Sequence, residues 1–340
     1  MQESDPLIFA SVIFRHGERN ILDAYPNDPY NDESYWPEGF GQLTHEGKNQ
    51  LFKLGQYFRR RYDKLLGKKY SPNKIYIQST DIDRTIMSAQ ACLAGLFPPD
   101  DDDKLNGEIL WQPIPVHTKP LYSANGTLCE KHDAAYEKFL TESPELQKIY
   151  REHADFFTHL TEKSGEDIET VSDVYYLHNT LSIEKSRHLA LPDWAEKVME
   201  PNGIAEHLAK LNFTLASANP QLARLKSGIL IKEIMDRFTK KLFSALEPNR
   251  SLWLYSAHDD TISNILNSLG LFELHFPPTA CSLHFELYKP NENQHYMQIF
   301  YRMSNEEYPK AMEIPGCGNK ITLERFFDLY KETLPNDLET

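Results

Sequence analysis

The chain has 340 residues, of which 40% are hydrophobic, and a formal net charge of −14 at pH 7. This length supports a sizeable core in one large domain or in two domains. The acidic excess disfavours nucleic acid and anionic membrane surfaces as partners, since both attract proteins that are rich in Lys and Arg. No apolar stretch approaches the ~20 residues of a membrane span, and the N-terminus lacks the charged-then-apolar pattern of a signal peptide.

The first predicted element is a buried strand, the apolar run at residues 7–14. The next five residues read Arg-His-Gly-Glu-Arg, so that Arg15 and Arg19 flank His16. Arginine offers a planar fork of donors that matches phosphate oxygens, and imidazole can carry a phosphoryl group covalently. The alternative is a turn in which these side chains are simply solvated, and so short a motif does not decide between the two.

Residues 44–66 have apolar side chains at helical spacing and predict a long amphipathic helix. The arginine run at residues 59–61 is assigned to a solvated face because it lies in the middle of this helix. A short strand at residues 75–78 then leads through a turn into a second helix, and Arg84 falls in its first turn.

The middle of the chain, residues 121–224, is poor in strand patterns and rich in helix-compatible residues. The segments on either side both contribute strands. We therefore expect a discontinuous α/β domain, formed by residues 1–120 and 225–340, with a mainly helical cap domain inserted at residues 121–224.

A third buried strand, residues 252–257, ends in His258 and Asp259 and leads into a helical pattern. Residues 281–288 and 296–303 predict an antiparallel hairpin at the sheet edge. Ligands bind outside the carboxyl ends of the strands in open α/β sheets. Three strand-to-helix junctions are therefore expected to bring side chains suited to phosphate into one crevice: Arg15, His16, Arg19, Arg84, His258 and Asp259.

At these residues the sequence resembles the histidine acid phosphatase family, particularly the prostatic and lysosomal enzymes of animals. Similar stretches run in family order along nearly the whole chain: residues 15–19, 36–44, 79–85, 96–99, 110–117, 258–259 and 314–317. Asn20 and Ile21 depart from the pattern, since many relatives have a small residue and a proline there, and Glu18 stands where the animal enzymes commonly carry aspartate. The resemblance implies the histidine phosphatase fold, a mixed sheet flanked by helices.

The resemblance also implies an acid phosphatase that hydrolyses phosphate monoesters in two steps. His16 would form a phosphohistidine, and Asp259 would donate a proton to the leaving oxygen. The remaining members of the set would bind the phosphate and neutralise its charge: Arg15, Arg19, Arg84 and His258. No cofactor and no metal are expected, because arginines would do the electrostatic work, and we expect inhibition by tartrate, vanadate and phosphate.

Two further expectations concern location and assembly. The resemblance implies export to a periplasm, to the exterior or to a lysosome-like lumen, with the targeting segment absent from this sequence. The segment around Trp111 and His117 resembles a subunit interface in the family, which favours a homodimer. Packing around a proline-rich strand is the alternative explanation for both residues.

The four cysteines show no metal-ligand spacing and no matching partners for the bridges of the animal enzymes: Cys92, Cys129, Cys281 and Cys317. This pattern indicates a more distant, bacterial relative with mainly free thiols, and one new bridge stays open as an alternative.

Two other functions fit parts of the sequence. A phosphoglycerate-mutase-like phosphotransferase also has an Arg-His-Gly-Glu start and a second histidine, but it lacks the His-Asp pair and the inserted middle. An exported binding protein on a degenerate phosphatase scaffold is the other alternative. The full set of six site residues argues against it, because a lapsed enzyme tends to lose some of them.

Overall fold

The computed structural model describes residues 5–119, 127–304 and 306–335. Residues 121–126, at the start of the expected cap, and the side chain of Cys129 lie outside the described residues. Cys92, Cys281 and Cys317 are free thiols. Across the described ranges, no helix is both long and apolar enough to cross a lipid bilayer.

The centre of the described structure is one mixed sheet. Its strands are β1 (Leu7–Arg15), β2 (Ile75–Ser79), β3 (His117–Thr118), β4 (Leu252–Ala257), β5 (Ser282–Asn291), β6 (Gln294–Arg302) and β7 (Lys310–Ala311). Their order in the sheet is β3-β2-β4-β1-β5-β6-β7. The pairings among β1 to β4 are parallel, whereas β5, β6 and β7 pair in antiparallel fashion. The predicted mixed sheet is confirmed.

The C-terminal hairpin is present, but its strands are longer than predicted. The β5–β6 ladder continues to the pair Asn291 and Gln294, with a register shift after Tyr288. This irregularity accommodates Pro290, whose nitrogen cannot donate to the ladder. The hairpin is also not the edge of the sheet, because β5 pairs with β1 and the short strand β7 pairs with the outer side of β6.

Helices cover both faces of the sheet. They are α1 (His45–Leu66), α2 (Asp83–Leu96), α10 (Ile229–Leu242), α11 (Asp259–Ser268) and α12 (Leu323–Leu329). Alternate residues of β1 enter different cores: Phe9 and Ile13 pack with α10 and α11, while Val12 and Phe14 pack with α1 and α2. A strand buried on both faces needs apolar side chains at every position, which is why β1 has a continuous apolar run rather than an alternating one.

The described part of the middle segment is helical. Its helices are α3 (Thr127–Glu142), α4 (Pro144–Glu152), α5 (Ala154–Ser164), α6 (Val171–Ser186), α7 (Asp193–Val198), α8 (Ile204–Leu215) and α9 (Pro220–Ala223). A π-helical turn, Arg224–Gly228, connects α9 to α10. Helices α3 to α8 share a separate hydrophobic core, which includes Leu160, Leu177 and Leu208 and also Tyr25 from the loop after β1.

The solvated face predicted for the arginine run of α1 is found only at Arg60, since the side chains of Arg59 and Arg61 are 19% and 21% exposed. Arg60 is exposed, as expected. Arg61, however, donates through Nε and Nη2 to the two carboxylate oxygens of Glu286 on β5, at 2.6 and 2.9 Å, and that carboxylate is buried. Because α1 packs against the sheet, this mid-helix position faces a buried acid that lies far away in the sequence.

A buried pair of carboxyl groups joins α6 to the loop that follows β1. Glu184 on α6 and Asp28 in the loop are both buried. Burial and the neighbouring Asp28 raise the pKa of Glu184 to about 8, because two adjacent carboxylates in apolar surroundings cannot both ionise cheaply. The unfolded chain releases this proton at a lower pH than the folded chain, so the free energy of unfolding falls as pH rises between the two pKa values.

We expect Glu184→Gln to reduce this pH dependence, since an amide stays neutral at every pH. Each unit of pKa difference corresponds to about 1.4 kcal/mol, so the effect on the melting temperature should be measurable by calorimetry between pH 5 and pH 8. Glu142→Gln on α3 is the matched control, because Glu142 is exposed. A parallel decline in the wild type and in Glu184→Gln would show that the pair holds no proton in this range.

Candidate active site

The carboxyl ends of three neighbouring parallel strands form the base of the site. In the sheet, Arg15 at the end of β1 lies opposite Ala257 of β4, and Ser79 of β2 lies opposite Ser256 of β4. The residues that follow each strand therefore start from one edge. The structure brings all six predicted site residues together at this edge: the contacts below connect Arg15, His16, Arg19, His258 and Asp259 to it, and Arg84 interacts electrostatically with Asp259 and Arg15.

The ring of His16 is buried and has a defined tautomer. Its Nδ1 lies 2.7 Å from the carbonyl oxygen of Gly17, which can only accept, so Nδ1 carries the hydrogen and Nε2 keeps its lone pair. Burial and the adjacent Arg15 hold the pKa of His16 well below its usual range. His16 is therefore a neutral imidazole with a nucleophilic Nε2.

Two glycines allow the loop after β1 to lie directly on helix α1. A Cβ atom on Gly17 would lie 2.3 Å from the carbonyl oxygen of Gly47, and one on Gly47 would lie 2.2 Å from the carbonyl oxygen of Glu18. Any larger residue at either position would push the loop away. The amide of Gly17 also donates to the hydroxyl of Ser88 on α2 at 3.2 Å. Helices α1 and α2 together therefore set the position of His16.

Arg15 and Asp259 form a buried ion pair beside His16. Nη2 of Arg15 lies 2.7 Å from Oδ2 of Asp259, and Nη1 donates to the carbonyl oxygen of Pro277. Asp259 is the first residue of α11, and its Oδ1 accepts from the amide of Asp260 at 2.9 Å. Burial acts to raise the pKa of Asp259, but Arg15 and Arg19 outweigh it and the pKa lies below its ordinary value. Asp259 is thus ionised in the free site.

Arg19 and Arg84 add further positive charge. Arg19 donates to the carbonyl oxygen of Asn20 at 2.9 Å and to the side-chain oxygen of Asn179 at 2.8 Å. Burial and Arg15 lower the pKa of Arg19 to about 10, so it remains protonated. The Nε atoms of Arg15, Arg19 and Arg84 are buried and have no hydrogen-bond partner among the residues that the structure describes. These donors suit a ligand with several anionic oxygens.

His258 connects the end of β4 with the turn that follows β2. Its ring centroid lies 5.6 Å from that of His16, in an edge-to-face arrangement. Its Nε2 lies 3.0 Å from the hydroxyl of Thr80, in the turn after β2. Thr80 is therefore a contact of the site that the sequence does not identify.

The sequence does not identify the residues that line the adjoining cavity. This cavity of about 210 Å³ opens beside Arg15 and Asp259. Its other lining residues come from α6, α8 and the loop before β5: Tyr175, His178, Asn179, Ser182, Phe213 and Phe276. The α6 positions have the three- and four-residue spacing of one helix face. This spacing indicates that the four residues share a face of α6. The sequence of the helix does not show which element packs against that face.

This geometry agrees with the family that the sequence matches. Residues 6–302 match the model of the histidine phosphatase superfamily (branch 2). The chain therefore belongs to this superfamily, which confirms the resemblance found in the sequence and the phosphatase class of enzyme.

The similarity of the chain to individual proteins agrees with this assignment. The chain is 35% identical to human prostatic acid phosphatase over 98% of its own length and 87% of the relative. It is 33% identical to rat lysosomal acid phosphatase over 97% of its length and 79% of the relative. The fold resembles that of apo phytase from Hafnia alvei, with a TM-score of 0.71, 18% identity and 98% of each chain covered. A complex of that phytase with tartrate gives the same TM-score, 0.71, at 19% identity and the same 98% coverage of both chains.

Proposed function

We propose that this protein is an acid phosphatase that hydrolyses phosphate monoesters through a phosphohistidine on His16. The observation that carries the proposal is a neutral imidazole whose Nε2 keeps its lone pair, at the same edge of the sheet as the carboxylate of Asp259, which is paired with Arg15, and the guanidinium groups of Arg19 and Arg84. A nucleophile, a proton carrier and cationic donors at one place are what phosphoryl transfer requires.

In the first step, Nε2 of His16 attacks the phosphorus atom and the bond to the alcohol oxygen breaks. Asp259 gives its proton to that oxygen, so the product leaves as an alcohol rather than as an alkoxide. The arginines and His258 stabilise the negative charge on the remaining phosphoryl oxygens. In the second step, water attacks the phosphohistidine, Asp259 accepts a proton from the water, and inorganic phosphate is released.

The ion pair of the free site explains how Asp259 acquires its proton. In the free site Arg15 holds the pKa of Asp259 below its ordinary value. A bound phosphoryl dianion competes for Arg15 and adds negative charge beside the carboxylate. Both effects raise the pKa of Asp259, so substrate binding favours its protonated form at acidic pH.

The adjoining cavity favours substrates with an uncharged leaving group. Apart from Arg15 and Asp259, its lining side chains are aromatic or neutral. Burial lowers the pKa of His178 to about 4, so this ring is also neutral above that pH. Tyr175, Phe213 and Phe276 provide flat apolar walls. An aryl ester fits this environment better than an ester that carries further phosphates.

The test is a phosphoester assay of the purified protein at pH 5, with and without EDTA. We expect turnover of p-nitrophenyl phosphate to exceed that of inositol hexakisphosphate by about 10-fold or more, because the cavity lacks charges for additional phosphates. EDTA should leave turnover unchanged, and vanadate, phosphate and L-tartrate should inhibit. Tartrate is included because a phytase of the same fold binds it.

Two outcomes would contradict the proposal. The first is loss of activity on dialysis against EDTA that a divalent cation restores. The second is phosphotransfer between phosphoglycerates without hydrolysis, which would favour the mutase-like alternative.

The sheet edge at β3 supports a homodimer as part of the proposal. β3 is the outermost strand on its side of the sheet, and its His117 stacks on Tyr76 with ring centroids 4.6 Å apart. Nearby, Trp111 is 41% exposed and Leu110 is 73% exposed. Exposed apolar side chains at an open sheet edge are typical of an association surface.

We also propose the domain division and the export of the protein. The separate core of the middle helices supports a cap at residues 121–224 on an α/β domain of residues 1–120 and 225–340. The similarity to prostatic and lysosomal acid phosphatases supports an exported protein.

A further inference from the structure

One helix of the middle segment holds the two residues that follow the Arg-His-Gly-Glu stretch. Asn179 of α6 accepts a hydrogen bond from Nη2 of Arg19 at 2.8 Å. At the C-terminal end of the same helix, Arg187 donates to the side-chain oxygen of Asn20. Asn20 is fully buried, and its amide nitrogen donates in turn to Glu38 at 3.1 Å. Helix α6 therefore contacts Arg19 and Asn20 through separate side chains.

Asn20 is the centre of these contacts. Its side chain connects Arg187 with Glu38. Its backbone carbonyl also accepts from Nη1 of Arg19 at 2.9 Å. The guanidinium of Arg19 is thus held on one side by the backbone of Asn20 and on the other by the side chain of Asn179.

We propose that Asn179 is a positioning residue, which orients the guanidinium of Arg19 for the phosphoryl group without cancelling its charge. The inference rests on the proposed function, because it assigns Arg19 to the binding of phosphoryl oxygens.

The neutrality of both acceptors is the central observation. Arg15 is already paired with the carboxylate of Asp259 at 2.7 Å, whereas the hydrogen-bond acceptors of Arg19 are a carbonyl and an amide oxygen. Arg19 is 6% exposed. A carboxylate at position 179 would form a buried, charge-assisted pair with Arg19 and compete with the substrate. An amide fixes the direction of the same donor and leaves the positive charge for the dianion.

The experiment compares three variants of the full chain: Asn179→Leu, Asn179→Asp and Ser186→Asp. Asn179→Leu removes the acceptor at similar volume and should lower kcat/KM by about 10- to 100-fold, as expected for a hydrogen bond to a charged group. Asn179→Asp should lower it further at neutral pH, because the new carboxylate pairs with Arg19. Ser186→Asp puts a carboxylate on an exposed position of the same helix and should have little effect.

The pH profile separates positioning from a merely structural role. In Asn179→Asp, kcat/KM relative to the wild type should recover as pH falls, because a protonated carboxyl group is again a neutral partner for Arg19. Asn179→Leu should show no such recovery. In an Arg19→Gln background, Asn179→Leu should have little further effect, since the interaction that it removes is already absent.

Calorimetric binding of inorganic phosphate provides a readout that needs no turnover. Phosphate should bind Asn179→Leu about 10-fold more weakly than the wild type, and Asn179→Asp more weakly still near pH 7. Wild-type kcat/KM and phosphate affinity in both Asn179 variants would overturn the inference, and so would equal losses at every pH with a lowered melting temperature. A wild type that binds phosphate without hydrolysing esters would contradict the proposed function instead, while the binding comparison would still decide the role of Asn179.

Discussion

Replacement of His16 by alanine is expected to lower kcat by about 10⁴-fold or more, because it removes the atom that takes up the phosphoryl group. The neutral ring with its lone pair on Nε2 leaves no role for a second base in activating this nucleophile. Rapid quenching of the wild type into base should trap labelled phosphohistidine, which survives base better than acid. The variant should give no labelled protein.

The control for His16→Ala is Arg60→Ala. Arg60 is an exposed residue of α1 and is not one of the six site residues, so its loss should leave kcat within about twofold of the wild type. Label on serine or cysteine would contradict the mechanism, and so would a labelled intermediate in the His16 variant.

Asp259→Asn should slow the hydrolysis of an alkyl phosphate by about 10²- to 10⁴-fold, the usual contribution of a general acid. The loss should be much smaller for p-nitrophenyl phosphate, because its phenolate leaves with little help from a proton. The wild type should also lose activity towards alkyl esters as pH rises, since the carboxyl group must be protonated for the first step. In kcat/KM, which reports the free enzyme, the pairing with Arg15 moves that loss to lower pH. The asparagine variant should lack this alkaline fall.

Asp260→Asn is the matched control for the proton donor. Asp260 adjoins Asp259 on α11, but its Oδ2 lies 3.7 Å from Nζ of Lys226 rather than against Arg15. Glu18 is also engaged elsewhere, since its carboxylate accepts from the hydroxyl of Thr44 at 3.1 Å. Equal losses on alkyl and aryl esters in Asp259→Asn, or a dependence on the leaving group in Asp260→Asn, would assign the role to another residue.

The sequence predicts the base of the site well because its signals are local. The strand at residues 252–257 has its predicted bounds, and the long helix begins within a residue of its predicted start, with Thr44 as its N-cap. At each of the three strand-to-helix junctions, an apolar run ends close to polar or charged residues. Because the strands are parallel, these ends lie at one edge of the sheet. His16, Arg84 and His258 could therefore be placed in one crevice without knowledge of how the helices pack.

The upper part of the site could not be predicted in this way. Arg19 meets Asn179 across 160 positions of sequence, and Arg61 meets Glu286 across 225. Helical periodicity shows which side chains share a face, but it carries no information about the element that covers the face. The sequence therefore does not show whether the arginine run of α1, or the face of α6 that contains Asn179, meets solvent or another element.

Local patterns in the sequence thus predict the central strands, the helical middle and the six site residues at the strand-to-helix junctions, since each depends on the order of residues within one short segment. The folded structure is needed to establish which nitrogen of His16 is free, that Arg15 pairs with Asp259, and that α6 contributes Asn179 and Tyr175 to the cavity. These features depend on distances between segments that fold together from distant parts of the chain, and burial then sets the charge of each group.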